Sequence, residues 1–152
     1  MAAIVPVAFE GSYKVLRNVS AQATTGQTDW VNVPAWATGM IVYFNVTAVA
    51  GTTPSSQCFI LEADPVVRDD STIVFPAGFG GATAVTAAVQ VVMHVGPGIT
   101  GLADDTTGSA TLDSVYKINT ILPPMLGFRV TNDRTEADET YTYTLAVKFK
   151  KF

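Results

Sequence analysis

Few side chains in this sequence could carry out covalent chemistry. The chain of 152 residues has one cysteine, Cys58, inside the apolar run QCFIL, and one histidine, His94, inside VVMHVGPG. Nucleophilic catalysis needs a nucleophile with a base within hydrogen-bonding reach, and no spacing in the sequence brings these two residues together. We therefore expect Cys58 to be a small core residue, His94 to be a polar position in a strand, and the chain to hold no catalytic residue.

Acidic and glycine-rich stretches could hold a metal or a cofactor. Adjacent aspartates stand at 69–70 and at 104–105, and hard cations such as Ca²⁺ prefer clustered carboxylates. The spacing of an EF-hand is absent, however, and aspartates are ordinary turn residues. The GFGG stretch at 78–81 lacks the lysine of a P-loop and the glycine order of a dinucleotide site. The sequence predicts no metal and no cofactor. An enzyme with a carboxylate pair stays open as an alternative, although no pair is singled out.

Two tryptophans could make non-covalent contacts with a partner. Trp30 and Trp36 flank the short segment VNVPA. Exposed tryptophans on a β-sandwich can stack on sugars, whereas tryptophans near the start of a strand more often anchor a core or an interface. We favour the anchor role, and a carbohydrate-binding module that uses both rings is an alternative.

The composition is poor in charge. Charged residues make up 14% of the chain and hydrophobic residues 48%, against about 25% charged in typical soluble proteins. Such a chain either hides surface against neighbours or is a β domain with a neutral coat. The net charge is −4 and the basic residues are scattered apart from a small cluster near the end, so no concentrated basic face is available for nucleic acid. No run approaches the ~18 apolar residues of a membrane span, and we expect neither nucleic acid nor membrane as a partner.

Strand patterns recur along the chain and helix patterns are almost absent. The closing stretch TYTYTLAVKFKKF shows the most regular alternation of apolar and polar residues, which is typical of a half-buried β-strand. Turn-forming clusters separate the candidate strands. The predicted strands are 12–19, 29–33, 39–49, 57–63, 71–75, 86–95, 125–132 and 139–150.

Strands with one apolar face must bury those faces against one another. The fold class that does this is all-β, and we predict an antiparallel two-sheet β-sandwich, jelly-roll-like, of about eight strands. A small barrel is the alternative. The polar stretch NDRTEADE at 132–139 predicts a hairpin, in which the last strand pairs with 125–132 and is central in its sheet.

Two segments do not fit a compact sandwich. Residues 1–11 are apolar without clear alternation, and eleven extended residues could reach roughly 36 Å, so we divide the chain into an arm at 1–11 and a β-sandwich domain at 12–152. The arm could lie across a neighbouring subunit or cover its own core. Residues 96–124 are rich in proline and glycine, and a loop of this length is usually functional or mobile. The predicted partner-contact residues are Ile4, Val5, Pro6, Val7, Phe9, Trp30, Trp36, Ile99 and Leu102.

A series of motifs over residues 39–150 resembles small virion structural proteins of tailed bacteriophages. That family has an apolar strand ending in DVTAV, a GTPS turn and a DP exit, and this chain has NVTAV at 45–49, GTTPS at 51–55 and DP at 64–65. Further along, VMHVGPGIT resembles the family's strand followed by YPG. The stretches ILPPMLGFRVTN and TYTYTLAVKF resemble its LPRTWRVRVT and its closing SYTYSV strand.

The resemblance implies a virion structural protein. Several members of that family resemble head decoration or cement proteins, which sit as oligomers on the capsid exterior and hold capsomers together. For this chain it implies a homo-oligomer, with a trimer favoured, bound to the major capsid protein on the virion surface after synthesis in the host cytoplasm. A tail, baseplate or other head-to-tail component is the alternative within the virion.

Overall fold

The described part of the chain is built of β-strands. A computed structural model describes residues 14–28, 30–52, 56–63, 72–75, 86–98, 114–132 and 138–151. The predicted arm at 1–11 lies outside these ranges. Within them there is no helix, and hence none that could span a membrane. The strands are β1 (Lys14–Gln22), β2 (Gly26–Gln27), β3 (Val31–Asn32), β4 (Gly39–Ala50), β5 (Ser56–Ala63), β6 (Thr72–Phe75), β7 (Val89–Gly96), β8 (Ser114–Asn119), β9 (Met125–Asn132) and β10 (Thr140–Lys150).

The strands form two sheets. The first sheet has the order β1-β10-β4-β7-β8, and the second has the order β2-β9-β5-β6, with β3 also paired to β9. Every pairing is antiparallel except that of β7 with β8, which is parallel. The prediction of an all-β chain with antiparallel sheets is confirmed.

Alternation along the strands creates the core between the two sheets. In β4, β7 and β10 every second side chain points to the second sheet, and in β9 every second side chain points back. The buried cluster takes residues from both sheets, which is the packing of a β-sandwich. Its members are Val31, Met40, Val42, Phe44, Val46, Cys58, Ile60, Val91, Met93, Val95, Leu126, Phe128, Val130, Tyr141, Tyr143, Leu145, Val147 and Phe149.

The last strand is central, as predicted, but its predicted partner is wrong. β10 lies between β1 and β4 in the first sheet, whereas β9 belongs to the second sheet. β9 and β10 therefore do not form the predicted hairpin. An apolar face on each of two consecutive strands fits both arrangements, because faces packed across a core and faces side by side in one sheet carry the same alternation.

The predicted loop at 96–124 contains a strand. Residues Ser114–Asn119 form β8 at the edge of the first sheet, in parallel register with β7. The sequence SVYKIN does not alternate cleanly, so its strand state comes from pairing with β7, which local pattern does not reveal.

A buried polar cluster connects the two sheets at the end where β10 begins. The Nη2 of Arg17 and the hydroxyl of Tyr143 both donate to Oε1 of Gln22, at 3.0 and 2.7 Å. The Nδ2 of Asn132, from the second sheet, donates to the carbonyls of Gln22 and Glu139, at 3.3 Å each. Hydrogen bonds between buried polar groups hold their partners in one arrangement, so this cluster fixes the sheets relative to each other. We call it the polar cluster.

Candidate interaction surface

The opposite end of the sandwich is formed by loops that carry exposed apolar side chains. β3, β7, β8 and β10 end there, and β4 and β9 begin there, as the pairing of Gly39 with Lys150 and of Met40 with Val95 shows. The residues of this end that the structure describes outside the strands are 33–38, 97–98, 120–124 and 151. We call them the Trp36 surface.

Backbone hydrogen bonds hold the loops of the Trp36 surface together. The N–H of Val33 donates to the carbonyl of Pro124 at 3.0 Å, and the N–H of Thr38 donates to that of Lys150 at 2.9 Å. The N–H of Thr120 donates to the carbonyl of Gly96 at 3.2 Å. The first two bonds connect the β3–β4 loop to the segment before β9 and to the end of β10. The third connects the segment after β8 to the end of β7. The surface is thus a set of fixed loops on the ends of rigid strands.

Two further hydrogen bonds support the loops of this surface. The N–H of Ala37 donates to the carbonyl of Pro34 at 2.9 Å, closing the turn that carries Trp36. The N–H of Gly98 donates to Oδ1 of Asn119 at 2.8 Å, and Gly98 has a φ of 74°, a conformation that glycine adopts at low cost.

The chemistry of the Trp36 surface is apolar and almost without charge. Trp36 is 49% exposed and Ile121 is 77% exposed, and both rank among the few large apolar side chains exposed in the described ranges. Pro97 and Pro124 of the same surface are also exposed, and Lys151 is the one charged residue in the four segments. A partner that covers such a surface removes apolar area from water and desolvates little charge, which is the composition of an interface centre.

The two tryptophans have different environments. Trp30 is only 7% exposed, and its ring lies against β9, where a Cβ added to Gly127 would come within 3.3 Å of the Trp30 Cε3 atom. Trp30 therefore serves as an anchor of its own domain, and the exposed ring is that of Trp36. A stacking platform made by both rings is not formed.

All of the other predicted contact residues lie outside the described ranges. This applies to Ile4, Val5, Pro6, Val7, Phe9, Ile99 and Leu102. Sequence reasoning missed Ile121. An available signal was an isoleucine placed between Thr120 and the LPP stretch, outside any alternating pattern.

The two candidate reactive side chains do not meet. Cys58 is buried between the sheets at 1% exposure, and burial raises the pKa of its thiol far above the ordinary value of 9.0, which keeps it protonated. His94 is a half-buried residue of β7 that lies between Met93 and Val95 of the core, so it points to the outer side of the first sheet. The first sheet separates the two.

The described residues contain no cluster of metal ligands. Nowhere among them do three or more histidine, cysteine, aspartate or glutamate side chains come together so that they could hold a metal ion. The aspartates at 69–70 and 104–105, which were considered for Ca²⁺ in the sequence, lie outside the described ranges.

Comparison with known proteins does not identify the chain. No family model, no curated protein and no solved structure matches it. The functional argument therefore rests on the geometry and chemistry of its own residues.

Proposed function

We propose that this chain is a bacteriophage virion structural protein of the capsid decoration, or cement, type. The observation that carries the proposal is the Trp36 surface: an exposed tryptophan and an exposed isoleucine on hydrogen-bonded loops with a single charge among them. A rigid apolar patch of this kind is suited to permanent contact with another protein, because little entropy is lost in ordering it. The resemblance of residues 39–150 to phage virion proteins supports the same function.

We also propose a jelly-roll-like arrangement of about eight strands. The support is the strand order, once β2 and β3 are counted as one interrupted strand and β8 as an addition at the edge. The eight strands then lie as β1-β10-β4-β7 in one sheet and as β2/β3-β9-β5-β6 in the other. Jelly rolls occur in viral capsid proteins and in lectins, and this likeness of fold is an analogy that does not by itself specify function.

In the proposed mechanism the chain acts by binding free energy alone. Copies form a symmetric homo-oligomer, with a trimer favoured, and each copy contacts the major capsid protein on the outer side of the head. Contacts repeated by symmetry raise the avidity without any single strong site. Residues 1–11 would contribute further contacts to neighbours. A tail, baseplate or head-to-tail location would use the same surface with a different partner.

The test is the number of copies in the particle. Gradient-purified particles from the source are analysed by quantitative mass spectrometry, which gives copies of this chain per major capsid protein. We expect a ratio near one, or a fixed fraction set by icosahedral symmetry. A few copies to a few dozen per particle would move the protein to the tail or a vertex, and absence from particles would refute a virion function.

A further inference from the structure

The outer side of the first sheet, opposite the core, carries a second distinctive surface. Its side chains are those that alternate with the core residues in β10, β4 and β7. Pairing sets three of them in one row, since Asn45 lies between Thr144 of β10 and Gln90 of β7. In the neighbouring row, Tyr43 lies between Ala146 of β10 and Val92 of β7. At ~4.8 Å between strands, each row spans about 10 Å.

These rows enclose an open depression of about 500 Å³. That volume lies within the ~300–1,000 Å³ range of small-ligand sites. One tyrosine ring, two amides, a hydroxyl and an ammonium group share the depression. The lining residues are Tyr43, Asn45, Gln90, Thr144, Ala146 and Lys148.

The polar groups of the depression match the hydroxyls of a sugar. The amides of Asn45 and Gln90 can each donate and accept hydrogen bonds, and a sugar hydroxyl needs both. The hydroxyl of Thr144 donates to Oδ1 of Asn18 at 3.3 Å, so it can offer a sugar hydroxyl an acceptor. The half-buried Tyr43 supplies a flat apolar surface for the C–H side of a sugar ring. Three polar side chains in a straight row suit an extended chain of sugar units better than a compact ligand.

The lysines of this face favour a ligand that carries an acidic group. Lys148 lines the depression and Lys150 follows it on the same side of β10. Among the residues whose side chains the structure describes, the acidic ones are Asp138 and Glu139, which lie before β10, and Glu139 is fully buried. The described part of this face therefore presents two lysines, on a chain whose net charge is −4. An ammonium group attracts a carboxylate through charge-assisted hydrogen bonds.

We propose that this depression binds an acidic oligosaccharide, with uronate units as the ligand class. Tyr43 packs on one sugar ring, the row of Thr144, Asn45 and Gln90 binds hydroxyls, and Lys148 pairs with a uronate carboxylate. This site is separate from the Trp36 surface, so one chain can bind a protein partner and a glycan together. Copies repeated on one assembly would bind a polysaccharide with high avidity even when each site is weak.

The test uses the full chain, labelled with ¹⁵N, and titration with tetragalacturonate followed by NMR. We expect saturable shifts of backbone amides along β4, β7 and β10 near the depression. Tyr43→Ala, Gln90→Ala and Lys148→Ala should each weaken binding about tenfold or more, which corresponds to ~1.4 kcal/mol. Arg129→Gln is the matched control for charge, since Arg129 alternates with core residues of β9 and so lies on the outer side of the second sheet, and it should bind like the unchanged chain.

A neutral oligosaccharide of the same length, maltotetraose, separates charge from general sugar binding. We expect it to bind about tenfold or more weakly than tetragalacturonate. Shifts absent from the three strands, equal binding of the two sugars, or unchanged binding by Lys148→Ala would each overturn the proposal. The spectrum of every variant also reports its fold, and Gln90→Ala and Lys148→Ala keep the test valid if Tyr43→Ala fails to fold.

Discussion

Substitution of Trp36 by alanine separates binding from stability. Because the side chain is 49% exposed, about 120 Å² of a tryptophan's ~250 Å² stays open to a partner. At ~25 cal/mol per Å², covering this area contributes about 3 kcal/mol to association, or a factor of roughly 100 in affinity. The free energy of unfolding should change by no more than about 0.5 kcal/mol, as for other exposed positions.

The assay is co-sedimentation of the purified chain with particles assembled without it, at a series of concentrations. The expected result is a loss of about 100-fold for Trp36→Ala together with an unchanged urea-unfolding midpoint. Val15→Ala is the control, because Val15 is 44% exposed but lies on the edge strand β1, outside the Trp36 surface. Equal binding by the Trp36 and Val15 variants would refute the role of this surface. A loss of more than about 2 kcal/mol in unfolding would place Trp36 in the core instead.

Three further predictions concern stability. Gly51→Ala should lower the free energy of unfolding by about 3 kcal/mol or more, because Gly51 has a φ of 118° and an added Cβ would lie 2.8 Å from the backbone Cα atom of Glu139. Gly98→Ala should lower it by only about 1 kcal/mol, because Gly98 has a φ of 74° and its added Cβ would meet nothing within 4 Å. Equal urea midpoints for the two variants would contradict the steric argument. Tyr143→Phe removes the 2.7 Å hydrogen bond to Gln22 and should cost about 1–3 kcal/mol by urea unfolding at constant m-value; an unchanged midpoint would show that the polar cluster adds nothing. Burial raises the pKa of Cys58 above 9.0, so the thiol of the unfolded chain loses its proton first and the free energy of unfolding falls as the pH rises above 9. Between pH 9 and 10.5, Cys58→Val should therefore lose about 2 kcal/mol less of this free energy than the unchanged chain. Parallel pH profiles of the two proteins would exclude this effect.

The strands that carry strong alternation could be predicted from sequence almost to the residue. The predicted strand at 125–132 is β9 as observed, and those at 39–49 and 139–150 differ from β4 and β10 by one residue at one end. These strands have one face in the core and the other outside, so burial is written directly into their sequence with a period of two. The pairing partner of β10 and the strand state of β8 were not predictable, because both depend on contacts between distant segments.

The Trp36 surface could be predicted only in part from the sequence, for a related reason. Trp30 and Trp36 are six residues apart in similar surroundings, yet one is buried and the other half exposed. What separates them is the position of β9, whose Gly127 leaves room for the Trp30 ring, and no local pattern encodes that distance. The row of Thr144, Asn45 and Gln90 likewise forms only through the register of three strands far apart in sequence.

The two ends of the sandwich differ in their chemistry. The polar cluster buries hydrogen-bonded groups from both sheets where β10 begins, and the Trp36 surface exposes apolar groups where β10 ends. From Tyr143 to Lys150 the strand advances about 24 Å, well beyond the ~7–10 Å over which substitutions usually interact. An apolar surface can therefore stay exposed without loosening the fold, because the groups that fix the sheets lie at the other end. This separation is what a protein needs if it must be stable before it meets its partner.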